Sequence, residues 1–127
     1  AGYAITQGGD RAVEVLHSRA LILFSVGRTH DAIAAWQSAL SVDPSHVEAQ
    51  FGIGSALNDL GLYDEAINVL KRLASEAPWH FKAWNSLGYA YRHTGRLLEA
   101  RDCYLRALEC NPDSQVARDG LALLAGS

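Results

Sequence analysis

Apolar residues recur along the chain at helical spacing, and no segment shows the strict alternation of a strand. Val15, Leu16, Ala20 and Leu23 mark the inward face of a helix expected over 12–25. Ile53, Gly54 and Leu57 do the same for 46–59, and Ala66, Leu70 and Leu73 for 63–76. Further helices are expected over 30–42, 80–93, 97–110 and 115–125. Gly27, Gly61 and Gly95 each follow a helical segment, where a left-handed residue ends a helix at low cost. Pro44, Pro78 and Pro112 each stop a second helix, because proline cannot continue the ladder. Thr29 is placed to cap the helix over 30–42, Ser45 and Glu48 form a capping box, and Asp113 or Ser114 caps the last helix.

These signals share one period. The prolines are 34 apart both times (78−44 and 112−78), and so are the glycines 27, 61 and 95 and the alanines 32, 66 and 100. Ala20, Gly54 and Gly88 form a fourth column, of small residues where paired helices approach most closely. Trp36, Leu70 and Tyr104 are the large residues that fill the space between helices.

The stretch Trp84-x-x-Leu87-Gly88-x-x-Tyr91, followed by Ala100-x-x-x-Tyr104, Ala107 and Pro112, resembles a tetratricopeptide repeat, with Tyr104 where Phe is usual. The resemblance covers about residues 13–114 and is weakest in the first unit, where Arg19 stands in the column of Ile53 and Leu87. It implies an all-α, right-handed α-solenoid of three helix–turn–helix units plus a C-terminal helix. The units are 13–46, 47–80 and 81–114. Residues 1–12 are a leader or the remnant of a preceding helix, with Gly8-Gly9 breaking the chain before the first clear helix. Residues 115–127 are a capping helix or the first helix of a truncated repeat; Leu121 to Ala125 are apolar nearly all round, so this end is also a candidate for self-association.

Composition narrows the function. With 127 residues, net charge −3 and pI about 5.9, the chain lacks the basic patch of a nucleic-acid module, so no nucleic-acid partner is expected. Its apolar runs are far below the roughly 20 residues of a membrane span, so no direct membrane insertion is expected. The absence of Met, position 1 included, marks an excised segment of a larger protein or a processed one. Cys103 and Cys110, seven residues apart on one helix, are too distant to bridge and read as small apolar residues, consistent with a reducing, cytoplasmic setting.

No catalytic constellation, metal set or cofactor loop emerges. The five histidines make no His-Glu-x-x-His pair, and no Cys/His cluster has finger spacing. His46 and His80 hold equivalent positions and read as solvated helix-start residues. Gly52-x-Gly54 lies within a helix with no strand before it, so it is not a dinucleotide loop. The chain is therefore read as non-catalytic.

What remains is a surface. The resemblance implies that the first helices of successive repeats line a concave groove that binds segments of other proteins. By periodicity its residues are Glu14, His17, Leu21 and Phe24, then Glu48, Phe51, Ser55 and Asn58, then Lys82, Asn85, Tyr89 and Arg92. They form rows such as His17–Phe51–Asn85 and Leu21–Ser55–Tyr89. Aromatic rings mixed with Asn, Lys and Arg suit peptide binding. Acidic Glu14, Glu48 and Asp59 lie toward the first two repeats and Lys82, Arg92 and His93 on the third, which implies a ligand of mixed, polarised charge. The family's clamp for chaperone C-termini is matched only by Lys82, since His17, Leu21, Gly52 and Ser86 replace its other residues. Two alternatives stand beside a peptide-binding scaffold: a homo-oligomer assembled through the end helices, and the recognition segment of a larger enzyme such as a glycosyl- or sulfotransferase.

Overall fold

The computed structural model describes residues 2–126, with side chains from Arg11 onward. Among the described residues seven helices follow one another: α1 Gly2–Ser25, α2 Thr29–Val42, α3 Val47–Asp59, α4 Tyr63–Glu76, α5 Phe81–His93, α6 Leu97–Cys110 and α7 Gln115–Ala125. Among the described residues there is no strand. Each helix packs on its sequence neighbours, and α1, α3, α5 and α7 also touch one another in succession, forming one layer of an all-α solenoid. The expected break at Gly8-Gly9 is not in the backbone, because α1 runs through both glycines and begins at Gly2.

The three turn glycines adopt φ of +86°, +76° and +79°, and no other described residue has a positive φ. Each closes a Schellman motif: the amide after the glycine reaches back five residues, as Arg28 N does to Leu23 O (2.8 Å), Leu62 N to Leu57 O (2.9 Å) and Arg96 N to Tyr91 O (2.9 Å). The prolines end the even-numbered helices, and their carbonyls bind a donor six residues on. Pro44 O accepts from Gln50 Nε2 (3.2 Å), Pro78 O from Trp84 Nε1 (2.9 Å) and Pro112 O from Arg118 Nη2 (2.7 Å).

Helix starts depart from the sequence reading. Thr29 does not cap α2; it is buried and donates its hydroxyl to Asp59 Oδ2 at 3.3 Å. Ser45 and Glu48 form no capping box, because Ser45 Oγ turns back to Asp43 Oδ1 (2.8 Å). The N-caps are His46, His80 and Ser114, spaced by 34: His46 Nδ1 accepts from Ala49 N (3.0 Å), His80 Nδ1 from Ala83 N (3.1 Å) and Ser114 Oγ from Ala117 N (3.3 Å). His80 is buried rather than solvated, and its Nε2 lies 3.2 Å from Glu48 Oε1. A neutral imidazole with its proton on Nε2 satisfies both contacts.

The core is built on size matching. Trp36, Leu70, Leu73 and Tyr104 are the largest fully buried side chains. A Cβ added to Gly54 would collide with Leu70, and one on Gly88 would lie 2.9 Å from Tyr104, the partner in its own repeat. A Cβ on Gly52 would collide with Trp36, and one on Gly120 with Tyr104, each belonging to the preceding repeat. Each of these large residues thus meets a small one in the next first helix, sixteen positions on (36 to 52, 104 to 120). Where the large residue is the smaller Leu70, Ser86 holds that column. Val15, expected inward, is instead 61% exposed on the outer flank of α1.

Gly52→Ser is expected to cost about 1–3 kcal/mol by overpacking Trp36. Combining it with Trp36→Leu, which recreates the Leu70–Ser86 pairing, should give a double variant more stable than the two single losses predict, by about 0.5–3 kcal/mol. Urea unfolding of the four chains measures this coupling; strict additivity would refute the size-matching account.

Candidate functional site

The first helices of the repeats together frame a cavity of about 280 Å³, lined by Phe24, Ser55, Asn58, Asp59, Asn85, Ser86, Tyr89 and Val116. The end of α1, the second half of α3, the middle of α5 and the start of α7 each contribute. Five of the twelve groove residues expected from periodicity meet here: Phe24, Ser55, Asn58, Asn85 and Tyr89. Phe24 is held edge-on against Trp36, with ring centroids 5.9 Å apart.

Two asparagines are built into this site. Asn58 and Asn85 are only 8% and 6% exposed. Asn58 Nδ2 donates to the Ser86 carbonyl (3.0 Å) and Asn85 Nδ2 to Ser114 Oγ (3.0 Å), which fixes both amides across repeat boundaries. Their Oδ1 atoms are buried and have no hydrogen-bond partner. Buried acceptors of this kind call for a donor.

The remaining expected residues are distributed differently. The row His17–Phe51–Asn85 is largely an inter-repeat joint. His17 Nδ1 accepts the Trp36 indole N–H (2.9 Å) and its ring meets His46 edge-on at 5.5 Å; Phe51 packs on His80 at 5.1 Å; Asn85 bonds Ser114. In all three cases the partner is the next N-cap, 29 residues on. Leu21 is exposed, and Glu14 borders a depression on the outer flank of α1 with Val15, Ser18, Arg19, Ile22 and Leu23. Glu48 and Lys82 line a second depression with Trp79, His80 and Phe81, so these opposite charges share one edge instead of dividing the surface between repeats. Arg92 lies over the Tyr89 ring, 5.5 Å from its centroid.

Sequence reasoning counted Asp59 among the charges that a ligand would meet but not among the groove residues, and it missed Ser86 and Val116 as lining residues. The last was within reach: Val116 is 34 residues after Lys82 and so extends a groove row into α7. An aromatic cluster also went unread. The rings of Tyr63 and His93 stack at 4.9 Å, and Tyr89 lies 4.2 Å from His93 and 6.1 Å from Tyr63. Burial, then the neighbouring Tyr63, pushes the Tyr89 hydroxyl's pKa up, while Arg92 opposes the shift. Burial, then Arg92, lowers that of His93. Cys103 is buried and its thiol is pushed up to about 12, mainly by desolvation, so it is inert as a nucleophile at neutral pH. Among the described residues no three His, Cys, Asp or Glu side chains gather as a metal set, and no helix is long and apolar enough to cross a membrane.

The tetratricopeptide repeat profile matches residues 17–79 and 59–115. Small glutamine-rich tetratricopeptide repeat-containing protein 2 of Mycosarcoma maydis is 31% identical over 91 residues, covering 72% of this chain and 26% of its own length. Human tetratricopeptide repeat protein 7B is 29% identical over 100 residues, covering 79% of this chain and 12% of its own length. The probable UDP-N-acetylglucosamine–peptide N-acetylglucosaminyltransferase SPINDLY of Arabidopsis thaliana is 29% identical over 120 residues, covering 94% of this chain and 13% of its own. The chain thus spans about a quarter or less of these curated relatives. Among solved structures, the first repeat domain of Spaghetti (RPAP3), bound to the HSP90 peptide SRMEEVD, superposes with a TM-score of 0.88 at 22% identity, covering 91% of this chain and 92% of that one. MamA superposes at 0.83 with 24% identity, covering 90% and 67%.

Acid should loosen the fold through His17 and His93. Burial, aided by His46 and opposed by Glu48, lowers the pKa of His17, and that of His93 is lowered as well. The unfolded chain, with histidines near ~6.5, binds these protons more readily, so the stability is full above that pH and falls as pH drops through it toward the folded values. Urea midpoints are expected to decline from about pH 7.5 to 5.5, and His17→Gln/His93→Gln should flatten the decline; an unchanged slope in that variant would count against the assignment.

Proposed function

The chain belongs to the tetratricopeptide repeat family, and from that premise we propose that its concave face is a protein-interaction site that binds a segment of a partner protein without chemical turnover. The observation that carries this reading is the pair Asn58 and Asn85, whose buried, unpartnered Oδ1 atoms border one cavity beside the exposed ring of Tyr89. An asparagine acceptor suits a backbone N–H, and a half-exposed tyrosine between polar neighbours suits an apolar anchor. That a solenoid of the same fold, the first Spaghetti domain, was solved with a peptide bound supports it. The ligand's chemistry is a peptide of mixed charge, because Asp59 and Arg92 both flank Tyr89. The relatives include a glycosyltransferase many times longer than this chain, which fits the variant in which the groove serves as the recognition segment of a larger enzyme.

One observation favours a second reading, assembly through an end. On α1, Val15 and Ile22 are 61% and 65% exposed, whereas the same columns in α3 and α5, Ala49 with Ala56 and Ala83 with Ala90, are fully buried. The flank of α1 therefore has the composition of a helix interface, either for another repeat or for a second copy.

Partner capture from the source cell separates the two. Ser55→Tyr, which fills the cavity, and Tyr89→Ala, which removes its wall, should each release the captured protein, with Tyr89→Ala costing about 1–2 kcal/mol of affinity at unchanged helicity. Retention of the same protein by both variants, or a mass by light scattering that rises with concentration and collapses in Ile22→Lys, would move the function to the α1 flank.

A further inference from the structure

Building on the groove reading above, we infer that the concave face takes an extended peptide segment with an acidic side chain seated on Arg92, which fixes the segment's register. Arg92 is half-buried near the end of α5, with its guanidinium carbon 5.5 Å from the Tyr89 ring centroid and its Nε buried without an acceptor. Three other arginines hold carboxylates on exposed helix surfaces: Arg28 with Asp31 (2.6 Å), Arg72 with Glu76 (3.2 Å) and Arg96 with Glu99 (2.6 Å). Among the described residues, none gives Arg92 an ion pair. A guanidinium partly withdrawn from water and stacked on a ring is a strong site for a carboxylate, which it grips with paired donors.

The two asparagines set the ligand's conformation. Asn58 Oδ1 and Asn85 Oδ1 are buried acceptors without donors, on two residues that line the cavity. An extended chain has free backbone N–H groups to offer, whereas a helical ligand has committed its own internally. Asp59, which also lines the cavity, accepts from Thr29 Oγ1 (3.3 Å) and repels an anion, so the ligand's acid is drawn to Arg92 and away from Asp59.

The test is selection of a random peptide library on the whole chain, repeated on Arg92→Gln, Asp59→Asn and Tyr89→Ala after checking equal helicity and melting. The wild type should select peptides with Asp or Glu at one fixed position. That preference should vanish on Arg92→Gln and persist or sharpen on Asp59→Asn. Replacing the acid of one selected peptide by its amide should weaken binding roughly tenfold to the wild type and hardly at all to Arg92→Gln. Peptides that bind the wild type and lose Tyr89→Ala, yet show no acid position or ignore Arg92→Gln, overturn this inference and leave the groove reading standing. Failure to select any peptide, or selected peptides indifferent to Tyr89→Ala, overturns both.

Discussion

A large side chain needs a place with no side chain opposite it, and that steric rule sets the geometry of this solenoid. Tyr104 is accommodated by Gly88 in its own repeat and by Gly120 in the next helix layer; Trp36 is accommodated by Gly52 and Leu70 by Gly54. Backbones can approach only where these pairs meet, so the distance and tilt between successive helices follow from them. The concave surface inherits its curvature from that spacing, and with it the position of each groove residue. The matching is graded: the indole and the phenol each face a glycine across the repeat boundary, whereas the leucine column tolerates Ser86. Substitution at a remote glycine would therefore reshape the concave face without touching it.

A second set of contacts fixes the rotation of each repeat against the next. The N-caps His46, His80 and Ser114 each receive a residue from the previous first helix: the His17 ring, the Phe51 ring together with the Glu48 carboxylate, and the Asn85 amide. The same backbone geometry is stabilised three times by different chemistry. Only in the third case does this joint leave a free acceptor, Asn85 Oδ1, next to the cavity. The floor of the cavity is thus partly a by-product of how repeat 3 holds α7, which explains why one asparagine belongs both to the fold and to the cavity.

The repeat columns made the architecture legible in the chain itself. The prolines, the left-handed glycines and the small–large alternation are steric requirements, and steric requirements recur with the period. Exposure does not recur in the same way. His17, Phe51 and Asn85 occupy one column but differ in reach, and each turns toward the next cap because that cap offers it a ring or a hydroxyl. Periodicity placed them on the inner layer and had no means of telling which were covered. Thr29 and the supposed capping box failed for a related reason: a carboxylate, Asp59 for Thr29 and Asp43 for Ser45, drew the hydroxyl away from the helix start. Asp59 and Ser86 entered the cavity through the turn of α3 and the packing of α5, which no single-helix pattern encodes.

The cap column has a consequence for how the molecule comes apart. The first repeat boundary is fastened by a ring contact, His17 on His46, the second by a ring and a carboxylate, Phe51 and Glu48 on His80, and the third by a hydrogen bond alone, from Asn85 to Ser114. The share held by hydrogen bonding, which needs a narrow range of distance and angle, thus rises along the chain. In a linear array whose units contact only their neighbours, that asymmetry lets the amino-terminal boundary slide where the one at α7 must either hold or break.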